Sequence, residues 1–444
     1  MPPTDELVGI QSEIDKCMRC GFCMAVCPVY GVEKDEKAVA RGKIAVIQAV
    51  LDGELEIDDP QVTAALFNCL VCTSCVQNCP TGVRVDRIVI EARAAMARKN
   101  GLPWVKAAIF GALRDRGVLD LTMKTGAALA GLAFREHPRL KAISPRAPFA
   151  ILGQSAGMDS QRLLPVPNAR PLSERLPERI PVLAPKARVA FFTGCSFQYF
   201  YPTAGSDLVE VLTANGADVT VPREQLCCGT PVLVHGDLPG ARDLARRNLD
   251  AMERSGAEYV VTGCGSCGSA FQHSFPNLLA DDPVYTAKAA YWAARTYDVS
   301  TLLVKVIGYR PPTGQVDAVV TYHDPCHLKK SMKVSAEPRQ ILNSIPGVIL
   351  REMAKPDACC GSGGSYVLTH TATAGQIATK KGADIAQTGA STVATGCPAC
   401  MMQLLDTVNR TGGRQRVRHY ISVLAESYRN ENNHAGKESD AESV

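Results

Sequence analysis

The sequence predicts an α+β protein of several domains, in which an all-helical N-terminal domain precedes two repeated α/β domains. Two observations predict this class. All eighteen cysteines fall into four blocks of repeated spacing. In addition, apolar runs of strand length alternate with helical stripes from Arg188 onward, and the whole alternation occurs twice. A chain of 444 residues is long enough for two to four such domains.

The first two cysteine blocks lie within residues 1–100, the predicted helical domain. Both read C-x2-C-x2-C-x3-C-P, and their members are Cys17, Cys20, Cys23 and Cys27, then Cys69, Cys72, Cys75 and Cys79. Apolar residues at helical spacing predict a helix over 41–51, between the blocks, and another over 85–98, after them. The cysteine loops are therefore expected among helices rather than in hairpins.

This spacing is typical of iron–sulfur ligands, because three thiolates two residues apart can hold one corner of a four-iron cube from a single loop. In two-cluster ferredoxins the fourth cysteine, which precedes proline, binds the other cluster. The predicted [4Fe-4S] ligand sets are Cys17, Cys20, Cys23 and Cys79 for one cluster, and Cys69, Cys72, Cys75 and Cys27 for the other. A zinc site prefers two paired motifs, so the doubled spacing disfavours zinc.

Residues 101–186 are predicted to be a helical and then Pro-rich linker. The part after residue 143 is rich in Pro, Arg and Leu with little periodicity, which indicates an extended linker or a wrapping segment. The apolar stretch 125–134 (TGAALAGLAF) is too short to cross a bilayer. We expect it to be a buried helical turn or a packed hairpin rather than a membrane contact.

The two repeated domains are predicted over 187–310 and 311–430, followed by a polar, disordered tail over 431–444. Predicted strands that lead towards cysteines cover 188–193, 258–262, 318–322 and 391–395, with a further strand over 216–221. Strands that alternate with helices predict a mostly parallel sheet, whose ligands lie at the carboxyl ends of the strands.

Each repeat carries the same longer cysteine pattern, and this is the strongest evidence of duplication. Its members are Cys195, Cys227, Cys228, Cys264 and Cys267 in the first repeat, and Cys326, Cys359, Cys360, Cys397 and Cys400 in the second. The paired cysteines precede glycine, which allows an unusual turn. Five thiolates exceed the four that a cube needs, so either the cluster is not a cubane or one cysteine serves substrate, disulfide or redox chemistry.

These two repeats resemble the cysteine-rich CCG domains of heterodisulfide reductase catalytic subunits, and of the iron–sulfur subunits of glycolate oxidase and lactate-utilisation dehydrogenases. The order of domains is similar over most of the chain. The stretches 359–370 and 19–28 are most similar to the glycolate oxidase iron–sulfur subunit. Both repeats retain all five cysteines, as in heterodisulfide reductase.

The resemblance implies an electron-transferring subunit of a flavin-dependent dehydrogenase of 2-hydroxy acids such as glycolate or D-lactate. It implies a hetero-oligomer in which a flavoprotein subunit donates electrons and a quinone, a membrane partner or a soluble protein accepts them. It also implies one or two further iron–sulfur clusters, cubane or non-cubane [4Fe-4S], on the CCG cysteines. The alternative is a heterodisulfide-reductase-like catalytic subunit that reduces a disulfide at CCG-bound clusters.

Charge and composition narrow the classes of partner and compartment. A formal net charge of +4 is too small and too dispersed to favour nucleic acid. Closely spaced thiolates need a reducing compartment, and neither a signal peptide nor a membrane-spanning run is evident. The prediction is a cytoplasmic protein, either free or peripheral at the inner face of the membrane. The stretch 361–364 (GSGG) is interpreted as a cluster turn rather than a phosphate loop.

Histidines and lysines near the cysteines leave alternatives open. His323 and His327 flank Cys326, where they either tune a cluster or move a proton, or else cap a helix and face solvent. Lys329 and Lys330 are interpreted as a solvated pair, or as a basic edge that steers an acidic partner. The remaining candidates are His235 and His273, expected in structural or surface roles, and His370, expected close to the second CCG turn.

Overall fold

The computed structural model describes residues 7–137, 142–146 and 162–441. It confirms the α+β class, since short helices form the N-terminal part and two parallel sheets flanked by helices follow it. The division into domains at residues 100, 186 and 310 stays a prediction, because the packing described below crosses each of these boundaries.

The N-terminal domain packs short helices around the two cysteine loops. Both predicted helices are confirmed, and their buried faces meet in one core that includes Ile47 and Ile88. Pro60 opens one helix after Asp59, whose carboxylate accepts from the Gln61 N–H at 2.7 Å. The helices are Gln11–Ile14, Phe22–Val26, Tyr30–Glu33, Ala40–Leu51, Pro60–Phe67, Ser74–Gln77 and Val85–Asn100, with 3-10 turns at Leu7–Ile10 and Glu36–Ala38.

A helical hairpin, Trp104–Arg114 and Arg116–Ala133, follows this domain and presents apolar side chains to solvent. The expectation of a buried turn over 125–134 is therefore wrong, because Leu132 in this stretch is 74% exposed and Leu129 is 51% exposed. Only a narrow stripe of the hairpin, which includes Phe110, reaches the core of the first repeat. No helix within the described ranges is both long enough and apolar enough to span a bilayer.

The described parts of the Pro-rich segment pack against both repeats rather than hanging free. Leu163 N–H donates to the Asp406 carboxylate at 2.8 Å, and Leu172 is fully buried in the core of the repeats. Much of the segment lies outside the described residues. A small antiparallel sheet is formed by strands β1 (Phe134–His137), β2 (Ala142–Pro145) and β3 (Leu164–Pro165), and a 3-10 turn follows at Leu172–Glu174.

The two repeats contain parallel sheets of the same strand order, which confirms the duplication. The first contains β4 (Arg179–Ile180), β5 (Ala187–Phe191), β6 (Ala217–Thr220), β7 (Tyr259–Thr262) and β8 (Thr296–Asp298); the second contains β9 (Ala318–His323), β10 (Val348–Leu350), β11 (Thr392–Thr395) and β12 (Arg416–His419). The order is β4-β6-β5-β7-β8 in the first and β10-β9-β11-β12 in the second. Every neighbouring pair is parallel except β4–β6.

Helices cover the faces of both sheets, and several begin beside a cysteine. In the first repeat they are Gly194–Tyr199, Pro202–Ala214, Thr230–Leu233, Leu238–Arg254, Gly265–Ser269, Phe275–Leu278, Thr286–Ala293 and Val299–Thr301, with π-helical turns at Ala270–Ser274 and Leu302–Ile307. In the second repeat they are Ala336–Asn343, Tyr366–Thr369, Thr371–Gln387, Pro398–Arg410 and Tyr420–Ala441, with a π-helical turn at His327–Ser331. Such π-turns are frequent near functional sites.

The repeats exchange helices and share one core. Helix Tyr420–Ala441 of the second repeat packs on Pro202–Ala214 of the first, while Val299–Thr301 of the first packs on Ala336–Asn343 of the second. A single cluster of buried residues runs from Leu172 to Tyr428 through both sheets. The two repeats therefore form one packed body.

The last helix also extends into the predicted disordered tail, because it continues to Ala441 within the range 431–444. Its first turns are anchored by buried residues such as Ile421 and Leu424. An anchored helix extends at low cost, since each added residue contributes one hydrogen bond. The composition of the tail alone did not reveal this anchor.

We predict that Asn215→Ala lowers the free energy of unfolding by about 1–3 kcal/mol, because the buried Asn215 amide loses its hydrogen bonds to groups of both repeats. The Asn215 amide accepts from the Arg310 N–H at 2.8 Å and donates to the Tyr428 hydroxyl at 3.0 Å, so it ties both repeats together. Denaturant unfolding of iron-loaded protein measures the change. Asn277→Ala on the exposed surface is the control, and an equal loss there would contradict the assignment.

Candidate metal centre

Two separate cavities lie at the N-terminal cysteine loops, and each is lined by three cysteines of one loop together with the last cysteine of the other. The first cavity is lined by Cys17, Cys20, Cys23 and Cys79 and also by Cys75, which lines both cavities. The second is lined by Cys27, Cys69, Cys72 and Cys75. This grouping agrees with the crossed ligand sets, and the assignment of individual ligands stays a prediction.

Left-handed backbone shapes both loops in the same way. Arg19 and Val71, which precede the second cysteine of their loops, have φ values of 54° and 51°. Gly21 and Thr73, which follow it, have φ values of 85° and 59°. This conformation is unfavourable for side chains with a Cβ, above all for β-branched ones. Its occurrence at equivalent positions indicates that the thiol geometry requires it.

Burial makes these thiols hard to ionise without a metal. Desolvation raises the pKa of Cys27 to about 11, and it also raises the pKa of Cys72 and of Cys75, where neighbouring thiolates add to the effect. Cys79 is the exception. Burial opposes its ionisation, but hydrogen bonds from Thr81 and from the Val83 N–H lower its pKa overall.

Two buried cations lie next to the second loop. Lys43 donates to the carbonyl of Lys37 at 3.0 Å and to that of Ala38, and its burial lowers its pKa. Arg93 donates to the carbonyls of Leu66, Cys69 and Val234 at 2.7, 2.9 and 2.6 Å. Arg93 therefore joins the cysteine loop to the first repeat and places a positive charge beside it.

A third and larger cavity, of about 170 Å³, lies where the two repeats meet. All ten CCG cysteines line it: Cys195, Cys227, Cys228, Cys264, Cys267, Cys326, Cys359, Cys360, Cys397 and Cys400. The sulfur atoms of Cys264 and Cys397 approach within 3.9 Å across the junction. The ten thiols thus form one continuous group, which the sequence, with its two separate blocks, did not reveal.

The turns at the paired cysteines are left-handed, as the glycines predict. Gly229 has a φ of 77° and Gly361 a φ of 88°, and a Cβ on Gly361 would lie 2.6 Å from the carbonyl oxygen of Ala374. The Gly361 N–H donates to the sulfur of Cys359 at 3.3 Å. The turn therefore needs glycine and also stabilises a thiolate.

The second cysteine loop adjoins the ten-thiol cavity, since Cys69 and Cys72 line both. At this junction Lys330 donates from the second repeat to the hydroxyl of Ser74. Lys329 lies 3.2 Å from the carboxylate of Asp357. Lys330 is therefore in contact with the N-terminal domain rather than simply solvated, whereas Lys329 forms a partly exposed ion pair that agrees with a solvated side chain.

The histidines beside Cys326 line the ten-thiol cavity, which contradicts the solvent-facing alternative. His323 is 1% exposed. His327 Nδ1 lies 3.4 Å from the hydroxyl of Ser266 and 3.8 Å from the sulfur of Cys326. Both imidazoles are therefore placed to influence the thiols.

The other three histidines considered as candidates from the sequence differ in their distance from the thiols. His235 is buried, lines the same cavity and lies 2.5 Å from the Ser365 hydroxyl; burial lowers its pKa to about 3. His273 is exposed, with Nε2 3.2 Å from the Ser331 carbonyl. His370 stacks on the ring of Tyr366.

Sequence reasoning missed two polar side chains at the junction of the repeats. His419 is fully buried, and its Nε2 donates to the carbonyl of Gly263 at 2.8 Å, directly before Cys264. The hydroxyl of Tyr201 is buried without a hydrogen-bond partner in the described part of the chain. His419 ends β12, a short strand with two arginines that carries no strong strand signal.

The donor set fits iron–sulfur clusters. Soft thiolates select iron–sulfur clusters or zinc, and four converge at each N-terminal cavity. Backbone N–H groups of Tyr30 and Val83 point at the sulfurs of Cys27 and Cys79, at 3.5 and 3.4 Å. Such hydrogen bonds to sulfur tune cluster potentials. All eighteen thiols are free of disulfide bonds, as metal ligands must be.

Family comparisons match the same segments. Residues 13–83 match the model of a 4Fe-4S dicluster domain, and residues 189–272 and 320–405 each match the cysteine-rich (CCG) domain. The chain therefore carries several iron–sulfur clusters, and two of them are [4Fe-4S] clusters in its N-terminal domain.

Similar proteins share this order of domains. A probable glycolate oxidase iron–sulfur subunit of Bacillus subtilis is 32% identical over 94% of each chain. One of the subunits of a fumarate reductase (CoM/CoB) from Methanothermobacter marburgensis is 29% identical over 93% of this chain and 72% of its own. A lactate utilization protein A of Halalkalibacterium halodurans is 31% identical over 53% of this chain and 96% of its own. A crystal structure of a hypothetical protein from Helicobacter pylori has a TM-score of 0.50 at 9% identity, and covers 95% of this chain and 72% of its own.

We predict that the metal-free, reduced protein loses stability between pH 9 and pH 11, whereas the iron-loaded protein does not. The pKa of Cys27 rises from 9.0 to about 11 on folding. Its contribution is therefore complete below pH 9 and is lost as the pH rises through 11, at about 1.4 kcal/mol per pKa unit. Anaerobic unfolding at several pH values measures this slope. Cys27→Ala should flatten it and Cys79→Ala should not; equal slopes would contradict the prediction.

We predict that Thr73→Gly raises the free energy of unfolding by up to about 1 kcal/mol, since relief of left-handed strain outweighs the added chain entropy. Gly21→Thr, the reverse change in the equivalent loop, should lower iron content, because a φ of 85° is unfavourable for a β-branched residue. Thermal unfolding and iron analysis measure both. A destabilised Thr73→Gly variant would show that strain does not dominate at this position.

Proposed function

This chain belongs to the family of glycolate oxidase iron–sulfur subunits, and from that premise we propose that it serves a flavin-dependent 2-hydroxyacid dehydrogenase. In this proposal a flavoprotein subunit oxidises glycolate, D-lactate or a related acid, and this chain passes the electrons to a quinone or another acceptor. The coarser statement, an iron–sulfur electron-transfer subunit, follows from the family itself.

The observation that carries the proposal is the uninterrupted row of thiol sites. The first cavity opens at the exposed Cys20, Cys75 borders both the first and second cavities, and Cys72 borders both the second and the ten-thiol cavity. When bound, iron–sulfur clusters accept and release single electrons. The chain's own residues hold these sites in sequence, from the surface to the buried junction of the repeats.

Basic side chains place positive charge beside the inner part of this row. Arg93 remains charged in proteins and lies beside Cys69, within the wall of the ten-thiol cavity. Lys43 lines the second cavity, and Lys330 bridges from the repeats to Ser74. Positive charge near an anionic centre favours its reduced form. These three side chains therefore favour movement of electrons inward.

The surface at the first cysteine loop is suited to a protein partner. Met18 and Phe22 are 64% and 58% exposed, and they flank the exposed Cys20. Apolar side chains clustered around a cofactor site mark interaction surfaces. We therefore place the flavoprotein contact here. The apolar hairpin that includes Trp104 and Leu132 offers a second contact, which supports a hetero-oligomer.

The free thiols also indicate the compartment in which the protein works. Eighteen thiols without a disulfide bond support a reducing interior, and hence a cytoplasmic location. Contact with a quinone-side acceptor would place the complex at the inner face of the membrane.

A second candidate function is reduction of a disulfide at the ten-thiol cavity. The favouring observation is that both repeats contribute all five cysteines to one cavity, more than two cubes require. About eight irons per chain would leave this cavity without iron and contradict this candidate. About sixteen irons, with a trapped thiol adduct after incubation with a disulfide, would support it.

The proposal is tested with tagged chain purified anaerobically together with its flavoprotein partner. Addition of glycolate or D-lactate should bleach the visible absorption and produce the EPR signal of reduced clusters, whereas the chain without its partner should not respond. We expect Met18→Glu with Phe22→Glu to slow this reduction at least tenfold at unchanged iron content, because it places charges at an apolar contact. Val284→Glu, at an exposed site of the first repeat, is the control.

Two outcomes would contradict the proposal. Reduction by the 2-hydroxy acid in the absence of any flavoprotein would show that the chain does not depend on such a donor. Failure of both acids to reduce the clusters of the intact complex, while dithionite still reduces them, would exclude this class of substrate.

A further inference from the structure

His323 ends strand β9 and lies inside the second repeat, three residues before Cys326. Its ring is 1% exposed, so water does not satisfy either nitrogen. Nδ1 lies 3.1 Å from the carbonyl oxygen of Pro356. A carbonyl oxygen only accepts hydrogen bonds, so Nδ1 carries the proton of this pair.

The Pro356 carbonyl is itself fixed by two further donors. The backbone N–H of Asp324 donates to it at 3.1 Å, and the buried ammonium of Lys381 lies 3.5 Å away. Lys381 also donates to the neighbouring carbonyl of Lys355 at 2.6 Å. The loop that holds Pro356 is thus held in place, and with it the orientation and the tautomer of the imidazole.

This arrangement leaves Nε2 as a lone pair directed into the protein. Nε2 is buried and has no hydrogen-bond partner among the described residues. Nε2 and the sulfurs of Cys360 and Cys400 all lie within 4.8 Å of one another. A buried lone pair without a donor is unfavourable, and the sulfurs of Cys360 and Cys400 bind metal only as thiolates, whose buried charges would repel one another. A cation shared by the three atoms removes both penalties.

An imidazole held by a backbone carbonyl through one nitrogen is the common arrangement of metal-ligating histidine, because that hydrogen bond fixes the ring and raises the basicity of the free nitrogen. His323 meets this description before any metal is considered. Its thiol neighbours belong to the set that lines the ten-thiol cavity.

In the described part of the chain, no histidine of the first repeat is placed in this way. When the sequences of the two repeats are aligned at Cys195 and Cys326, Phe192 is the residue equivalent to His323. Phe192 is fully buried, and its ring lies 4.9 Å from that of Phe271. The duplicated domains therefore differ in chemistry at the position three residues before the first cysteine of each repeat.

We propose that Nε2 of His323 binds an iron atom of the cluster held by the second repeat, so that the two repeats hold different centres. The inference deepens the proposed function, since it rests on iron–sulfur occupancy of the CCG cysteines. A neutral imidazole brings less negative charge to a centre than a thiolate. Histidine ligation raises the potential of iron–sulfur centres. The centre in the second repeat therefore has a higher reduction potential than the other sites of the row, and electrons collect there.

The test uses iron-loaded, full-length protein labelled with 15N-histidine, purified anaerobically and poised in a paramagnetic state. Pulsed EPR is expected to show the strong hyperfine coupling of a directly bonded nitrogen. The coupling should be lost in His323→Gln, whose amide retains a donor for the Pro356 carbonyl. It should persist in the control His370→Gln, since His370 stacks on Tyr366 outside the cavity.

Several results would overturn the inference. These are a spectrum with only the weak coupling of a hydrogen-bonded nitrogen, a strong coupling that survives in His323→Gln, and an iron content of about eight per chain, which leaves the repeats empty. If His323→Gln does not fold, the labelled wild-type protein still decides between strong and weak coupling.

The outcomes for this inference and for the proposed function are distinguishable. Reduction by a 2-hydroxy acid through the flavoprotein, without nitrogen coupling, would refute the ligation and leave the electron-transfer role intact. Nitrogen coupling without such reduction would support the ligation by His323 and refute the proposed role in oxidation of 2-hydroxy acids.

Discussion

The burial of thiols that must ionise to bind metal is the constraint on which the rest of this structure depends. Burial raises the pKa of Cys27 to about 11 and that of Cys326 to about 12, so the unliganded sites resist ionisation. Metal binding requires the ionised form. Two kinds of group in the fold stabilise negative charge at sulfur. They are backbone N–H groups in the loops and CCG turns, and the buried cations Lys43, Arg93 and Lys381. Of these groups, Arg93 is held by tertiary contacts that cross from the N-terminal domain to the first repeat.

Those crossing contacts explain why the sites form a row. Arg93 bonds at once to the cysteine loop and to the carbonyl of Val234 in the first repeat. Gly236 fits against the backbone of Arg93, where a Cβ would lie 2.5 Å from its carbonyl oxygen. On the other side, Val29 and Leu70 of the N-terminal domain share a small core with Tyr366 and Ile377 of the second repeat. The N-terminal domain thus packs against both repeats. These contacts position its second cysteine loop next to the cavity that the repeats share.

The sequence predicted what depends on local pattern and missed what depends on pairing. Strands β5, β7, β9 and β11 were predictable because they are interior and apolar. The missed strands β8, β10 and β12 lie at sheet edges, are three or four residues long and owe their conformation to a neighbour. The cysteine spacing predicted the grouping of thiols in the N-terminal domain, since the ligands of a loop are close in sequence. It did not predict that ten cysteines from two repeats line one cavity, because their approach is created by the exchange of helices. The burial of Arg93 and Lys43 could not be predicted, since a charged residue on an amphipathic helix is expected to face solvent unless its neighbours in the fold are known.

The exchange of helices between the repeats has a consequence for how the protein is damaged. Helix Tyr420–Ala441 covers the first repeat although it belongs to the second, so local opening of either repeat removes packing from the other. Oxygen, chelators or a protease that gain access during one such opening therefore meet all ten cysteines of the shared cavity. The two repeats therefore protect their cysteines jointly, and we expect the sites of both repeats to be damaged in air at the same rate.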